Sequence, residues 1–237
     1  MRPYHPILQH RESLDRQGRR APWVALFDID STLMDTAPRN AAILEAAFEA
    51  LPDLAPWRRA WKPDPRAWGV TDMLKGAGIE DEGLLRRVQT FWRERFFTDE
   101  WLVHDQPYPG SAAFLHDLKS QGFRLAYLTG RHSGGMERGT RKSFEDHGLP
   151  AGPDEAFFFK PTFEMSDKDY KASVLTQVSR LGTLVLTVDN EPANVNLFRA
   201  GFPEAQVVWL DTLTSPHPEP LAEGILRADP GYFLDRD

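Results

Sequence analysis

Five short apolar runs punctuate the chain, at 23–27, 123–128, 156–159, 184–188 and 206–210. The first, Trp-Val-Ala-Leu-Phe, shows no alternation with polar residues, the pattern of a central parallel strand covered on both faces. Helix-type patterning separates the others. It runs from Ser111 to about 121 with Gly122 as its stop, then over 136–147, 169–181 and 192–200. Strand and helix alternating in this way predict a three-layer, Rossmann-like parallel sheet of about five strands with right-handed crossovers.

One stretch breaks the alternation. Between the first two apolar runs the chain turns rich in Trp, Arg and Pro, with helices expected at 38–51, near Trp57, at 68–77 and at 82–97, and no strand. Pro38 suits a first helical turn and Pro52 a stop. Residues 37–103 therefore read as an inserted helical cap domain on an α/β core made of 21–36 and 104–237. Residues 1–20 read as a polar, Arg-rich N-terminal extension. The aromatics of the insertion are expected mainly to pack its own interior.

The chemistry sits at the strand ends. The first run stops at Asp28-Ile29-Asp30-Ser31-Thr32, and side chains two apart on extended backbone point the same way. Asp28 and Asp30 can thus converge on a cation, or on a phosphate held through one. Thr129 ends the second run and Asp189-Asn190 the fourth. In a parallel sheet all these ends share one edge, where open α/β sheets bind ligands. Composition narrows the chemistry further. With 28 basic and 35 acidic residues, a net charge of −7, a general nucleic-acid surface is not expected. No cysteine is present, which excludes disulfides, thiolate nucleophiles and Cys-ligated zinc. No apolar run approaches a membrane span and the first 20 residues lack a signal-type core, so a cytoplasmic protein without membrane contact is expected.

The apolar strand with DxDxT, followed in turn by Thr129, a lysine and Asp189, resembles the haloacid dehalogenase (HAD) superfamily, in particular its capped phosphatases. The resemblance covers 23–35 and 108–210. It implies a phosphoric monoester hydrolase in which Asp28 takes the phosphoryl group as an aspartyl phosphate and Asp30 serves as acid and then base. It also implies Mg²⁺ held by Asp28, Asp189 and the Asp30 backbone carbonyl, with Thr129, Gly130 and Arg131 toward the phosphate and a small phosphorylated molecule as substrate. The lysine is either Lys171, near the start of the helix before the fourth strand and favoured here, or Lys160, directly after the third strand; Lys168 ranks third.

Two places depart from the family pattern. An acid often stands beside the metal-binding aspartate or four residues after it; here Asn190 and Ala193 occupy those positions, leaving Asn190 to order a metal-bound water. Glu191 and Asn194 are the nearest substitutes. A HAD-like phosphomutase, a phosphonate hydrolase and a catalytically weakened HAD-like binding protein are the alternatives. A receiver domain phosphorylated on Asp fits less well, because its acceptor lies on a middle strand with no large insertion after the first. His104 and Asp105 read as hinge residues, Arg131 and His132 equally as substrate contacts or as plain loop residues, and the proline-rich stretch after 211 carries no assigned role. Oligomeric state is not legible.

Overall fold

The chain enters through α1 (His5–Arg16) and then β1 (Trp23–Phe27). The computed structural model describes residues 5–64 and 66–234; the first four residues of the expected extension, Pro65 of the insertion and the last three residues of the expected core lie outside the described residues. Helix α1 is more than a polar extension. Ile7 and Leu14, two turns apart on one stripe, are both 1% exposed and join the core.

After β1 the two-residue strand β2 (Met34–Asp35) pairs antiparallel with β3 (Gln106–Pro107), making a neck for the chain between them. That chain is helical: α2 (Ala37–Ala50), a 3-10 turn at Pro52–Trp57, α3 (Val70–Gly76), α4 (Glu82–Phe96) and a second 3-10 turn at Asp99–His104. The Asp81 carboxylate caps α4 by accepting from the Gly83 and Leu84 N–H groups. The insertion has its own apolar centre, with Leu44, Phe48, Leu54, Trp61, Leu74 and Leu84 buried together. The rings of Phe48 and Trp61 lie 5.7 Å apart.

The rest alternates as the sequence suggests: α5 (Ser111–Ser120), β4 (Phe123–His132), α6 (Ser133–Asp146), β5 (Ala156–Lys160), α7 (Asp167–Ser179), β6 (Thr183–Asp189), α8 (Pro192–Gly201) and β7 (Gln206–Leu210). A further strand, β8 (Leu226–Ala228), extends the expected set to six in the order β5-β4-β1-β6-β7-β8, with every neighbouring pair parallel. Three residues with Leu226 51% exposed present no apolar run, which is why the sequence does not announce β8.

Alternation along β1 assigns the layers. Ala25 and Phe27 face one side, with Leu118 of α5 and Phe144 of α6, while Val24 and Leu26 face the other, with Val174 of α7 and Phe198 of α8. Side chains of this size contribute about 1.5–3 kcal/mol each when fully buried. The strand order turns back at β1, between β4 and β6, so its carboxyl end opens into the crevice where such sheets bind ligands. Among the described residues no helix is long and apolar enough to cross a membrane.

Candidate active site

The β1 ladder ends as the Asp28 N–H donates to the Val188 carbonyl at 3.0 Å. Beyond it the chain coils tightly: the Ile29 carbonyl accepts from the N–H groups of Thr32, Leu33 and Met34. Ser31 is left-handed at φ 57°, a conformation costing a non-glycine residue about 1–2 kcal/mol. The coil places Asp28 and Asp30 on the wall of one cavity of about 440 Å³ between the sheet edge and the insertion. It does not aim both carboxylates at one object; each has its own partners.

Asp28 belongs to a buried triad. Lys171 Nζ donates to Asp28 Oδ1 at 2.6 Å and to Asp189 Oδ2 at 2.7 Å. The lysine is 2% exposed and leaves α7 beside Tyr170 and Val174, whose packing fixes the helix against the sheet. Asp189 is further satisfied by the Glu191 N–H at 2.8 Å and by Asn194 Nδ2 at 3.1 Å from each carboxylate oxygen. Burial, with the Asp189 charge adding to it, pushes the Asp28 carboxyl up to about 7 despite Lys171. Burial opposes the Lys171 charge too, yet Asp189 and Asp28 outweigh it and hold the ammonium above the ordinary lysine value. Two carboxylates and one ammonium leave the triad one net negative charge.

Asp30 belongs to a second buried network. Arg131 donates through Nε to Asp30 Oδ2 at 2.9 Å and through Nη2 to Oδ1 at 2.8 Å, a bidentate pair. Arg39 Nη2 donates to Asp30 Oδ1 at 2.7 Å. Asp105 closes the set: Arg131 Nη2 donates to its Oδ2 at 2.6 Å, and Arg39 Nε lies 2.8 Å from its Oδ1 as an ion pair off hydrogen-bond alignment. Both arginines and Asp105 are essentially inaccessible, while about a third of the Asp30 side chain, 32%, reaches the cavity. Burial would raise the Asp30 pKa, but Arg131 and Arg39 together hold it far below the usual carboxylate range. At Asp105 burial prevails over the same two arginines and the value is raised.

The remaining candidates fall into place around these networks. Gly130 and Arg131 bulge out of the ladder, because Thr129 pairs with Phe159 and the next pairing is His132 with Lys160. Thr129 is fully buried behind the wall, its hydroxyl accepting from the Arg131 N–H at 3.2 Å. Lys160 lines the cavity but pairs with Asp167 at 2.7 Å, and Lys168 pairs with Glu219 at 2.6 Å. Asn190 accepts from the Thr32 hydroxyl at 3.2 Å and donates to the Leu213 carbonyl. Glu191, a possible substitute acid in the sequence, instead accepts from the Ser215 N–H and hydroxyl.

Sequence reasoning missed Arg39, the pairing of Asp105 and the tail residues Leu213 and Ser215, which also line the cavity. Only Arg39 left a trace. An arginine in the first turn of a helix opposes the helix dipole and so asks for an anion elsewhere. Asp105, expected as a hinge residue at the insertion's exit, is also a buried ion-pair member.

Among the described residues no three His, Cys, Asp or Glu side chains group closely enough to enclose a metal. A magnesium site needs less, typically one or two carboxylates completed by backbone oxygen, water and substrate phosphate. Asp28 and Asp189 offer two carboxylates of that hard-oxygen kind around a net negative charge.

A family model described as haloacid dehalogenase-like hydrolase matches residues 24–178. Over 122 residues the chain is 33% identical to a phosphoglycolate phosphatase of Neisseria meningitidis, a match covering 45% of this chain and 47% of that protein. A phosphoglycolate phosphatase of Neisseria gonorrhoeae matches at 32% with the same coverage, so the chain spans about half the length of these curated relatives. Among solved structures, protein tyrosine kinase A of Mycobacterium tuberculosis aligns over 88% of this chain and 94% of its own, with a TM-score of 0.55 and 18% identity. A haloacid dehalogenase-like family hydrolase from Streptococcus pneumoniae aligns over 81% and 92%, with a TM-score of 0.50 and 13% identity. At such identities these two share the fold. The family model takes in well over half of the residues, from β1 through α7, and on that match the chain belongs to the haloacid dehalogenase-like hydrolases.

Proposed function

We propose that this protein is a Mg²⁺-dependent phosphatase that hydrolyses a small phosphate monoester through an aspartyl-phosphate intermediate. The observation that carries this reading is the Asp28–Lys171–Asp189 triad, whose Asp28 and Lys171 line a cavity at the switch point of the sheet with Asp189 buried behind them. The relatives named phosphoglycolate phosphatase support the same class of reaction.

Asp28 is the nucleophile: its oxygen bonds to phosphorus as the ester P–O bond breaks, and the departing alkoxide takes up a proton. Water then attacks the acyl phosphate, releasing inorganic phosphate and restoring the carboxylate. Lys171, rather than Lys160, offsets part of the charge of the two aspartates and faces the developing phosphoryl charge. The Asp28 and Asp189 carboxylates with the Asp30 backbone carbonyl would hold Mg²⁺, with Asn190 on its outer side. When bound, the ion would screen the nucleophile from the phosphate dianion. Gly130 and Arg131 border the phosphate pocket, with Thr129 fixing their backbone.

Asp30 is assigned as the acid and then the base, a contribution of typically about 10²–10⁴-fold. Held by two guanidinium groups it is an anion, so proton donation requires Arg39 or Arg131 to shift when substrate enters. Residues 37–103 are assigned as the cap that closes the cavity and excludes water.

The test is phosphate release from a panel of monoesters with Mg²⁺, comparing the natural protein, Asp28→Asn and a metal-free control. The expected result is metal-dependent release, reduced at least about 10³-fold in Asp28→Asn. A natural protein that binds Mg²⁺ yet releases phosphate from no ester would overturn the assignment.

A further inference from the structure

The insertion side of the cavity is made of Trp68, Trp92, Phe96 and Phe97, with Asn40 as its polar group. Trp92, Phe96 and Phe97 form one ring cluster, with centroids 4.6, 5.5 and 5.0 Å apart pairwise. Trp68 stands apart. It is 48% exposed, the one aromatic among the exposed large apolar side chains of the described residues, and it joins none of the buried apolar clusters. A tryptophan left unpacked beside a catalytic floor is a free stacking surface.

The charges of the cavity point the same way. Every cation on its wall is already paired: Arg131 with Asp30 and Asp105, Lys160 with Asp167, Lys168 with Glu219, and Lys171 with Asp28 and Asp189. The insertion contributes no cation to the wall other than the buried Arg39 behind it. A substrate carboxylate at the far end would find no counter-charge there, and its desolvation would go uncompensated. The Asn40 amide suits an uncharged polar group instead. Its Oδ1 accepts from the Trp92 indole N–H at 2.7 Å, which fixes the oxygen and leaves the amide N–H₂ as the group for a ligand acceptor.

Resting on the phosphatase reading above, we infer that the substrate is a phosphate monoester of an alcohol carrying a flat, uncharged ring with a hydrogen-bond acceptor, as a nucleoside does, and not a short carboxylate-bearing ester such as phosphoglycolate. The ring packs against Trp68 and the Trp92–Phe96–Phe97 cluster while the phosphate sits on Asp28 and Lys171. A cavity of about 440 Å³ falls within the range of about 300–1,000 Å³ typical of small-molecule sites, and a two-carbon ester would leave much of it unfilled.

Two esters with the same leaving group isolate the ring: a nucleoside 5′-monophosphate and ribose 5-phosphate, assayed beside phosphoglycolate for kcat/KM in Mg²⁺. The nucleotide should exceed ribose 5-phosphate roughly 10- to 100-fold, the scale of one or two base–aromatic contacts. That ratio should fall toward one in Trp68→Ala, be largely kept in Trp68→Phe, and stay unchanged in Val103→Ala, an exposed position off the cavity wall. Ribose 5-phosphate or phosphoglycolate turned over as well as the nucleotide, or a ratio indifferent to Trp68→Ala, would overturn the inference. If no ester released phosphate, the phosphatase reading would fail by itself. Calorimetric binding of the same nucleotide and ribose 5-phosphate would then decide: a preference for the nucleotide that Trp68→Ala abolishes upholds the ring site, and equal or absent binding rejects it.

Discussion

Lys171 stands where two buried carboxylates would otherwise repel each other. Because Asp28 is already pushed up to about 7 with the lysine in place, the triad is electrostatically balanced toward one more cation or one proton. Lys171→Met should therefore cost about 3–5 kcal/mol at neutral pH, the usual scale for removing one partner of a buried charge set. The sign with pH follows from Asp28. An acid whose pKa is higher in the fold than its unfolded value of 3.8 binds more protons folded than unfolded, so stability falls as pH rises through that window. Removing the lysine raises that carboxyl further, so in Lys171→Met the penalty should be level below about pH 6 and grow as the pH rises through and beyond 7. Urea midpoints at several pH values read this directly, and a penalty independent of pH would show that the lysine acts by packing alone.

At the scale of elements, the choice between the two lysines is a matter of sheet order. Lys160 ends β5, two strands from β1 and hence about 9–10 Å away across the sheet, and its ammonium turns to Asp167. Helix α7 travels back over the sheet from β5 toward β6, the other neighbour of β1, and so delivers Lys171 above the aspartates. That order is not written in any local pattern. What the sequence does display is local: apolar runs long enough to mark strands, prolines at helix starts, and acids where strands end. Asp28, Asp30 and Asp189 were legible for that reason. Arg39, Asp105, Leu213 and Ser215 were not, since each acquires its partner from a distant segment, as when Asn190 meets Leu213 or Arg131 meets Asp105. The second 3-10 turn at Asp99–His104 is likewise tied to α6 by a contact no pattern reveals. The Gly139 N–H donates to Asp99 Oδ1 at 2.6 Å, and a Cβ on Gly139 would lie 2.5 Å from the Asp99 backbone oxygen. Gly139→Ala should accordingly wedge the insertion exit away from α6 and cost about 1–3 kcal/mol. Arg138→Ala, removing a side chain 84% exposed, should stay within about 0.5 kcal/mol of the natural protein in the same denaturation series.

Across the whole molecule, one guanidinium links the insertion to the core at the cavity itself. Arg39 donates to the Phe96 carbonyl at the end of α4 at 2.9 Å, packs over the Phe96 ring at 3.9 Å, meets Asp105 near the neck and reaches across to Asp30 of the core. A single side chain thus fastens both ends of the insertion to a carboxylate on the cavity wall, and any opening of the insertion must break that fastening. Arg39→Met keeps most of the apolar stem and deletes the charge. At pH 7 it should cost about 3 kcal/mol, the low end for buried pairs because Asp30 is partly open to solvent. Asp30 is depressed in the fold, so its share of stability is complete above its unfolded value of 3.8 and is lost as the pH falls below it. The gap between Arg39→Met and the natural protein should consequently narrow in acid, because Asp30 of the variant, held by one guanidinium fewer, takes up its proton at a higher pH than Asp30 of the natural protein. The variant should also loosen the insertion selectively. Amide exchange over 96–104 should quicken at least tenfold while exchange in β1 follows only the global loss of stability. Exchange that rises equally in both places would mean that Arg39 stabilises the fold as a unit and does not fasten the insertion to the core.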